Sequence, residues 1–124
     1  MVLNLDVAKH NQTGKIGEAL AEAWFIGNGY TILHLNWRHK HWEIDIIASK
    51  NKMLHFIEVK TRTSLFFGYP EDNVSNKKIA FLVDAAEEYL FLYAHENRIQ
   101  FDILAITLKK NEEAEYFLIE DIYL

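Results

Sequence analysis

Hydrophobic and polar residues recur with two different periods along the chain, and one of these periods predicts two helices. In residues 14–28 the apolar positions return every three or four residues, with Thr13 in front as an N-cap and a Gly-Asn-Gly run behind as a stop. Residues 76–95 repeat the helical period over about five turns, and Ser75 precedes them as a second N-cap. Both segments are therefore expected to be amphipathic helices.

Five other segments carry the alternation, or the β-branched and aromatic content, of strands. They are residues 30–37, 42–48, 53–61, 98–108 and 116–123. The polar run 49–52 between the second and third strands is typical of a tight turn, so these two strands should form a hairpin. The element order is αβββαββ without a repeat or linker, which predicts an α/β fold with a single domain over residues 1–124.

Residues 64–73 follow neither period and contain the only proline of the chain, Pro70, close to Gly68. A segment of this length without periodicity is expected to be a loop that acts as a lid or a binding element. It leads into the second predicted helix, whose first turn carries Lys77 and Lys78.

Composition limits the partners that such a domain can take. The chain has 124 residues, 50% of them hydrophobic and none of them cysteine, so it can bury a core without a disulfide. No apolar run approaches the roughly 20 residues that cross a bilayer, so we expect a cytoplasmic protein that does not bind membranes. Its formal charge of −5 argues against strong nonspecific DNA binding, although basic residues concentrated in the first two thirds could form a basic face.

The candidate chemistry lies in the predicted hairpin. If residues 50–51 form a two-residue loop, Glu43 lies opposite Glu58 and Asp45 lies opposite Phe56. Asp45 and Glu58 are then diagonal neighbours whose backbones are about 7–8 Å apart. The two carboxylates are therefore expected to be close enough to meet.

Strand alternation gives the hairpin one charged face and one apolar face. The charged face contains Glu43, Asp45, Ile47, Phe56, Glu58 and Lys60. The apolar face contains Ile44, Ile46, Ala48, Ile57 and Val59.

Asp45 and Glu58 could share one hard cation, because Mg²⁺ (or Mn²⁺) accepts carboxylate oxygens together with water. Lys60 could hold a scissile phosphate or orient the attacking water while the metal polarises that water. We therefore assign Asp45, Glu58 and Lys60 as candidate catalytic residues for phosphodiester hydrolysis. The alternative is that these residues are the solvated face of a two-sided hairpin and form only weak surface ion pairs.

Several motifs together resemble a known family. Asp45, followed after a hairpin by Glu58-Val59-Lys60, resembles the PD-(D/E)XK nuclease signature. A closer resemblance, to the YraN family of bacterial proteins, rests on residues 14–19 (GKIGEA), 43–48 (EIDIIA), 56–62 (FIEVKTR), 67–70 (FGYP) and 74–78 (VSNKK). One departure is Trp42, which stands where the family usually has glycine and could cap the site, stack a base or complete the core.

The resemblance implies a restriction-endonuclease-like core similar to that of archaeal Holliday-junction resolvases, with a central mixed five-stranded sheet flanked by two helices. By matching position it adds Glu18 as a third metal ligand beside Asp45 and Glu58. It also points to Arg62 and Lys78 as residues that contact nucleic acid. Taken from the helical period alone, Glu18 lies opposite the apolar stripe and fits a plain exposed glutamate, and Lys78 fits an ordinary surface lysine.

Three functions are compatible with these observations. The first is a metal-dependent endonuclease that acts on DNA, branched or single-stranded. The second is a nucleic-acid-binding or protein-binding module that keeps the nuclease scaffold without turnover. The third is a structural protein whose aromatic second helix forms an interface, with a homodimer as one form of it. Asp102, in the fourth predicted strand, is expected to have a structural hydrogen-bonding role.

Overall fold

A computed structural model describes residues 2–63, 75–93 and 98–122, with side chains from residue 12 onward. Its elements in chain order are α1 (Val2–Gly27), β1 (Thr31–His39), β2 (Trp42–Lys50), β3 (Met53–Arg62), α2 (Asn76–Tyr93), β4 (Arg98–Thr107) and β5 (Glu115–Ile119). This order confirms the αβββαββ prediction. The predicted loop 64–73 lies outside the described residues.

The five strands form one mixed sheet in the order β1-β2-β3-β4-β5. All neighbours are antiparallel except β3 and β4, which are parallel because the chain crosses over through α2 between them. Among the described residues, neither helix is long and apolar enough to span a membrane.

The two helices cover opposite faces of the sheet, and each face has its own core. The α2-side core joins Leu82, Ala85, Ala86 and Tyr89 of the helix to Trp37, Ile44, Ile47, Leu54, Phe56 and Phe101 of the sheet. The α1-side core joins Ala21 and Phe25 of the helix to Tyr30, Ile46, Ala48, Ile57, Leu104 and Ile106. Neighbouring residues of one strand therefore belong to different cores, as alternation requires.

The ends of the helices agree only partly with the prediction. Ser75 is the N-cap of α2, since its Oγ accepts the backbone N–H of Lys78 at 3.2 Å. Thr13 is not an N-cap, because α1 begins at Val2 and runs through Thr13 and Gly14. Residues 2–12 contain neither proline nor glycine, so nothing in them interrupts the helix. At the other end the predicted stop is correct, and Gly29 has a φ of 87°.

The predicted hairpin of β2 and β3 is present, but its register differs from the predicted register by two residues. Asn51 and Lys52 form the two-residue loop with φ values of 52° and 61°, as a type I′ turn requires, and Lys50 pairs with Met53. The ladder then continues to the pair of Ile46 and Ile57. A shift of two residues does not by itself change the face of a side chain, and it brings Asp45 level with Glu58 rather than with Phe56.

One residue lies on the face opposite to the predicted one. Ile44 was expected beside Ile46, but it belongs to the α2-side core. The alternation breaks at Asn36 of β1, which has a φ of 51° and lies between the pairs Leu35 with Ile46 and Trp37 with Ile44. A left-handed residue in a strand locally twists the ladder, and here the irregularity lies at the level of Asp45.

Gly17 sets the distance between α1 and the sheet. A Cβ atom at this position would lie 1.9 Å from Oγ1, 2.8 Å from Cβ and 2.9 Å from Cγ2 of Thr61. Thr61 is β-branched and stiff, so it cannot move aside cheaply. The close contact of Gly17 with β3 places the next residue, Glu18, at the level of the hairpin.

Gly17→Ala is expected to lower the free energy of unfolding by about 1–3 kcal/mol, because the added methyl overpacks this contact. Gly14→Ala is the matched control, since nothing lies within 4 Å of its added Cβ. Removing a helical glycine there should be neutral or stabilise by about 0.5–1 kcal/mol. Urea denaturation of the two variants checks this, and equal effects would contradict the packing argument.

Candidate active site

Asp45 lies where the ladder between β2 and β3 ends. The last backbone pair is Ile46 with Ile57, and beyond it the Oδ2 atom of Asp45 accepts the backbone N–H of Val59 at 2.8 Å. A side-chain oxygen thus satisfies the donor that the next ladder bond would have used. This contact fixes the Asp45 carboxylate beside β3, level with Glu58.

The Asp45 carboxyl has an unusual environment. Burial, and next to it the negative charge of Glu58, raise its pKa from 3.8 to about 7, while the hydrogen bond from Val59 acts in the opposite direction. Smaller repulsions come from Glu43 and Glu18. Four carboxylates therefore contribute to one electrostatic field, with Asp45 at its most buried point.

Glu58 is also affected by burial, which raises its pKa. The positive charges of Lys60 and Lys78 act in the opposite direction, as does a hydrogen bond that involves Asp45. Glu58 thus interacts with one acid and two amines at the same time. This is the arrangement that the sequence predicted for Asp45, Glu58 and Lys60, extended by Lys78.

Lys60 is pushed towards the neutral amine. Burial lowers its pKa first, and Lys78, a hydrogen-bond partner of like charge, lowers it further. Glu58 and Asp45 partly restore the charged form. The predicted Lys78 side chain therefore reaches the same site as Lys60. Arg62 lies two residues beyond Lys60 on β3 and is half-buried there.

A cavity of about 500 Å³ opens onto this group between the hairpin and the first turns of α2. Its walls include Glu43, Asp45 and Glu58 on the strand side, and Lys77, Lys78 and Phe81 on the helix side. Lys77 was placed in the first turn of the second helix and Phe81 among its aromatic residues, but neither was assigned to the site, although Phe81 follows Lys78 by three residues and so shares its helix face. Hereafter we call this space the main cavity.

A smaller cavity of about 220 Å³ lies on the α1 side. Lys15, Glu18 and Glu22 of α1 line it together with Asn36 and Asp45. Asp45 therefore borders both cavities, whereas Glu18 borders only the smaller one. The irregular backbone at Asn36 and the end of the β2–β3 ladder leave Asp45 accessible from two sides.

The donors suit a hard divalent cation in chemistry, since carboxylate oxygens with completing waters are the ligands that Mg²⁺ prefers. A cation would also relieve the repulsion that raises the pKa of Asp45. The predicted set of three acids is not assembled, because the described residues contain no group of three His, Cys, Asp or Glu side chains placed to hold one metal ion. Glu43 is engaged elsewhere, with its Oε1 atom 3.2 Å from Nη2 of Arg38.

A family model and individual relatives place this chain in the same protein family. Residues 17–106 match the model of the uncharacterised protein family UPF0102. A UPF0102 protein of Flavobacterium psychrophilum is 43% identical over 112 residues, which cover 90% of this chain and 94% of the relative. A UPF0102 protein of Parabacteroides distasonis is 42% identical, covering 94% of this chain and 93% of the relative. The chain belongs to the UPF0102 family, which the motifs indicated under the name YraN.

Proposed function

We propose that this chain has a restriction-endonuclease-like fold and hydrolyses phosphodiester bonds of DNA with the help of Mg²⁺ or Mn²⁺. The observation that carries the proposal is the group formed by Asp45, Glu58 and Lys60, in which the two acids line the main cavity and Lys60 interacts with both of them. Two half-buried carboxylates of like charge beside a half-buried amine are costly for the fold. Such a group is typical of a site that binds a charged ligand.

Asp45 and Glu58 would hold the cation directly, with Glu18 as a third acid that acts from the α1 side. When bound, the ion polarises the phosphoryl oxygen and makes its bound water a stronger nucleophile at neutral pH. The hydrogen bond from Val59 keeps the Asp45 carboxylate in position before any ligand arrives. Burial strengthens the attraction for the ion, because little water competes.

Lys60 and Lys78 supply the positive side of the site. Their amines are adjacent and point to the same space as Glu58, so a phosphate between them and the cation would be neutralised from two directions. Burial and the neighbouring Lys78 lower the pKa of Lys60, while Glu58 and Asp45 favour its charged form. Arg62 and Lys77 extend the positive surface for the neighbouring phosphates.

The test is a cleavage assay on labelled single-stranded, forked and four-way-junction DNA with Mg²⁺, Mn²⁺, Ca²⁺ or EDTA. We expect cleavage with Mg²⁺ or Mn²⁺, none in EDTA, and a loss of about 100-fold or more in Asp45→Asn and Glu58→Gln. Asp84→Asn and Glu87→Gln, at exposed acids of α2, are the matched controls and should retain full activity.

Cleavage that survives Asp45→Asn and Glu58→Gln would contradict the assigned roles. DNA binding without cleavage in any of the metals would instead favour the second candidate, a binding module that keeps the scaffold. That candidate is supported by the separation of Glu18 from the other two acids.

A further inference from the structure

The main cavity is lined by two chemically different kinds of side chain. The acids Asp45 and Glu58 and the amine of Lys78 are charged, whereas the ring of Phe81, which is 40% exposed, is aromatic. Phe81 and Lys78 are three residues apart on α2, so the ring and the amine stand one above the other along the same wall. A ligand in this cavity would meet both charged groups and an aromatic ring.

The ring of Phe81 lies at one end of a row of three aromatic rings. The centroid of its ring lies 6.1 Å from that of His41, which in turn lies 4.2 Å from that of Trp42. Trp42 packs against the α2-side core and anchors the row to the fold. His41 and Phe81 are both exposed. We call these three residues the aromatic row.

An exposed aromatic ring beside a lysine amine matches the chemistry of a nucleotide, which joins a flat base to an anionic phosphate. The volume of about 500 Å³ lies within the range of about 300–1,000 Å³ that is usual for small-ligand sites. Bases in a duplex are paired and stacked on each other, so their faces are not available to a protein ring. An unpaired base presents a free face that any aromatic side chain can stack on.

We propose that the main cavity takes an unpaired nucleotide, with its phosphate beside Lys78 and its base stacked on Phe81. This inference rests on the proposed function and narrows its substrate to single strands and to branched DNA with unpaired nucleotides. His41 extends the stacking surface towards the next base. Because stacking does not depend on hydrogen bonds to base edges, the preference is for unpaired structure and not for a sequence.

The experiment measures binding without cleavage, by fluorescence anisotropy of a labelled 15-nucleotide thymidine strand and of a 15-base-pair duplex in Ca²⁺. We expect wild-type protein to bind the single strand more tightly than the duplex. Phe81→Ala should weaken single-strand binding about 10-fold and duplex binding less than about 2-fold, in line with the stacking of one base. Phe81→Trp should retain the preference, and thermal unfolding checks that both variants are folded.

Phe91→Ala is the matched control, because Phe91 is also on α2, is 83% exposed and does not line the main cavity. It should leave both affinities unchanged. A strand of abasic nucleotides should bind wild type and Phe81→Ala equally, since no base remains to stack.

Three results would overturn the inference. Phe81→Ala could lose equal affinity for the single strand and the duplex, Phe91→Ala could weaken single-strand binding as much as Phe81→Ala does, or wild type could fail to bind the single strand. Its failure is distinguishable from failure of the proposed function. If the protein cleaves DNA with a metal but Phe81→Ala weakens single-strand and duplex binding equally, only the binding of an unpaired nucleotide is rejected. If Phe81→Ala selectively loses single-strand binding but wild type cleaves no DNA, only the proposed hydrolysis is rejected.

Discussion

Replacing Asp102 with alanine is expected to lower the free energy of unfolding by about 3–5 kcal/mol, a large part of the stability of a domain of this size. Asp102 is fully buried in β4, and its Oδ2 atom lies 2.7 Å from Nδ1 of His55 on the neighbouring strand. Its Oδ1 atom accepts two hydrogen bonds, one from Nε2 of Gln100 at 2.8 Å and one from the backbone N–H of Asp121 at 2.9 Å. Alanine would leave the buried His55 ring and two partly buried donors without their shared acceptor.

Urea denaturation at neutral pH measures the effect, with Asp84→Ala at an exposed aspartate of α2 as the control. The control should change the stability by no more than about 0.5 kcal/mol. Asp102→Asn keeps the shape of the side chain and should lose less than alanine, so it gives a graded value if Asp102→Ala fails to fold. A loss below about 1 kcal/mol in Asp102→Ala would contradict the structural role that the sequence predicted and the hydrogen bonds confirm.

Asp45→Asn is expected to act in the opposite direction and to stabilise the metal-free protein above neutral pH. The folded protein raises the pKa of Asp45 from 3.8 to about 7, so the charged form is disfavoured in the fold. Below about pH 3 the carboxyl keeps its proton in both states and the substitution changes little. As the pH rises from about 4 to 7, the unfolded chain ionises freely while the fold does not, and wild type loses stability.

The gain of Asp45→Asn over wild type should therefore grow from less than about 1 kcal/mol at pH 4 to about 2–4 kcal/mol at pH 8, where it levels off. Urea denaturation in EDTA at pH 4, 6 and 8 measures it, and Asp84→Asn should give a flat difference. No gain at pH 8 would mean that Asp45 is better solvated or better paired than its surroundings indicate. A gain would identify a residue kept for function at the expense of stability.

The predicted elements were mostly correct because their periods are long and unambiguous. The hairpin and its charged face followed from alternation alone, which is why Asp45 and Glu58 were recognised together. The register did not follow, since the polar run 49–52 allows more than one two-residue loop and contains no glycine to mark the left-handed positions. The shift of two residues preserved the face and so preserved the candidate site.

Features that depend on contacts between distant segments were missed. The twist at Asn36 places Ile44 on the opposite face of the sheet, and no local sequence pattern predicts this twist. The pair of His55 and Asp102 depends on β3 and β4 being parallel neighbours, which only the crossover through α2 determines. Phe81 and Lys77 became part of the site because α2 lies over the end of the hairpin. The interface function of the aromatic second helix, with a homodimer as one form, stays a prediction.

Calorimetric titration of Mn²⁺ at pH 7 into wild type and Asp45→Asn tests most directly whether Asp45 and Glu58 share one cation. We predict one ion per chain in wild type, with about half a proton released from Asp45 on binding, seen as a dependence of the heat on buffer ionisation. Asp45→Asn should bind at least about tenfold more weakly and without this proton release, and Asp84→Asn should bind as wild type does. Equal affinity in wild type and Asp45→Asn, or no binding to either, would contradict a metal site at this hairpin.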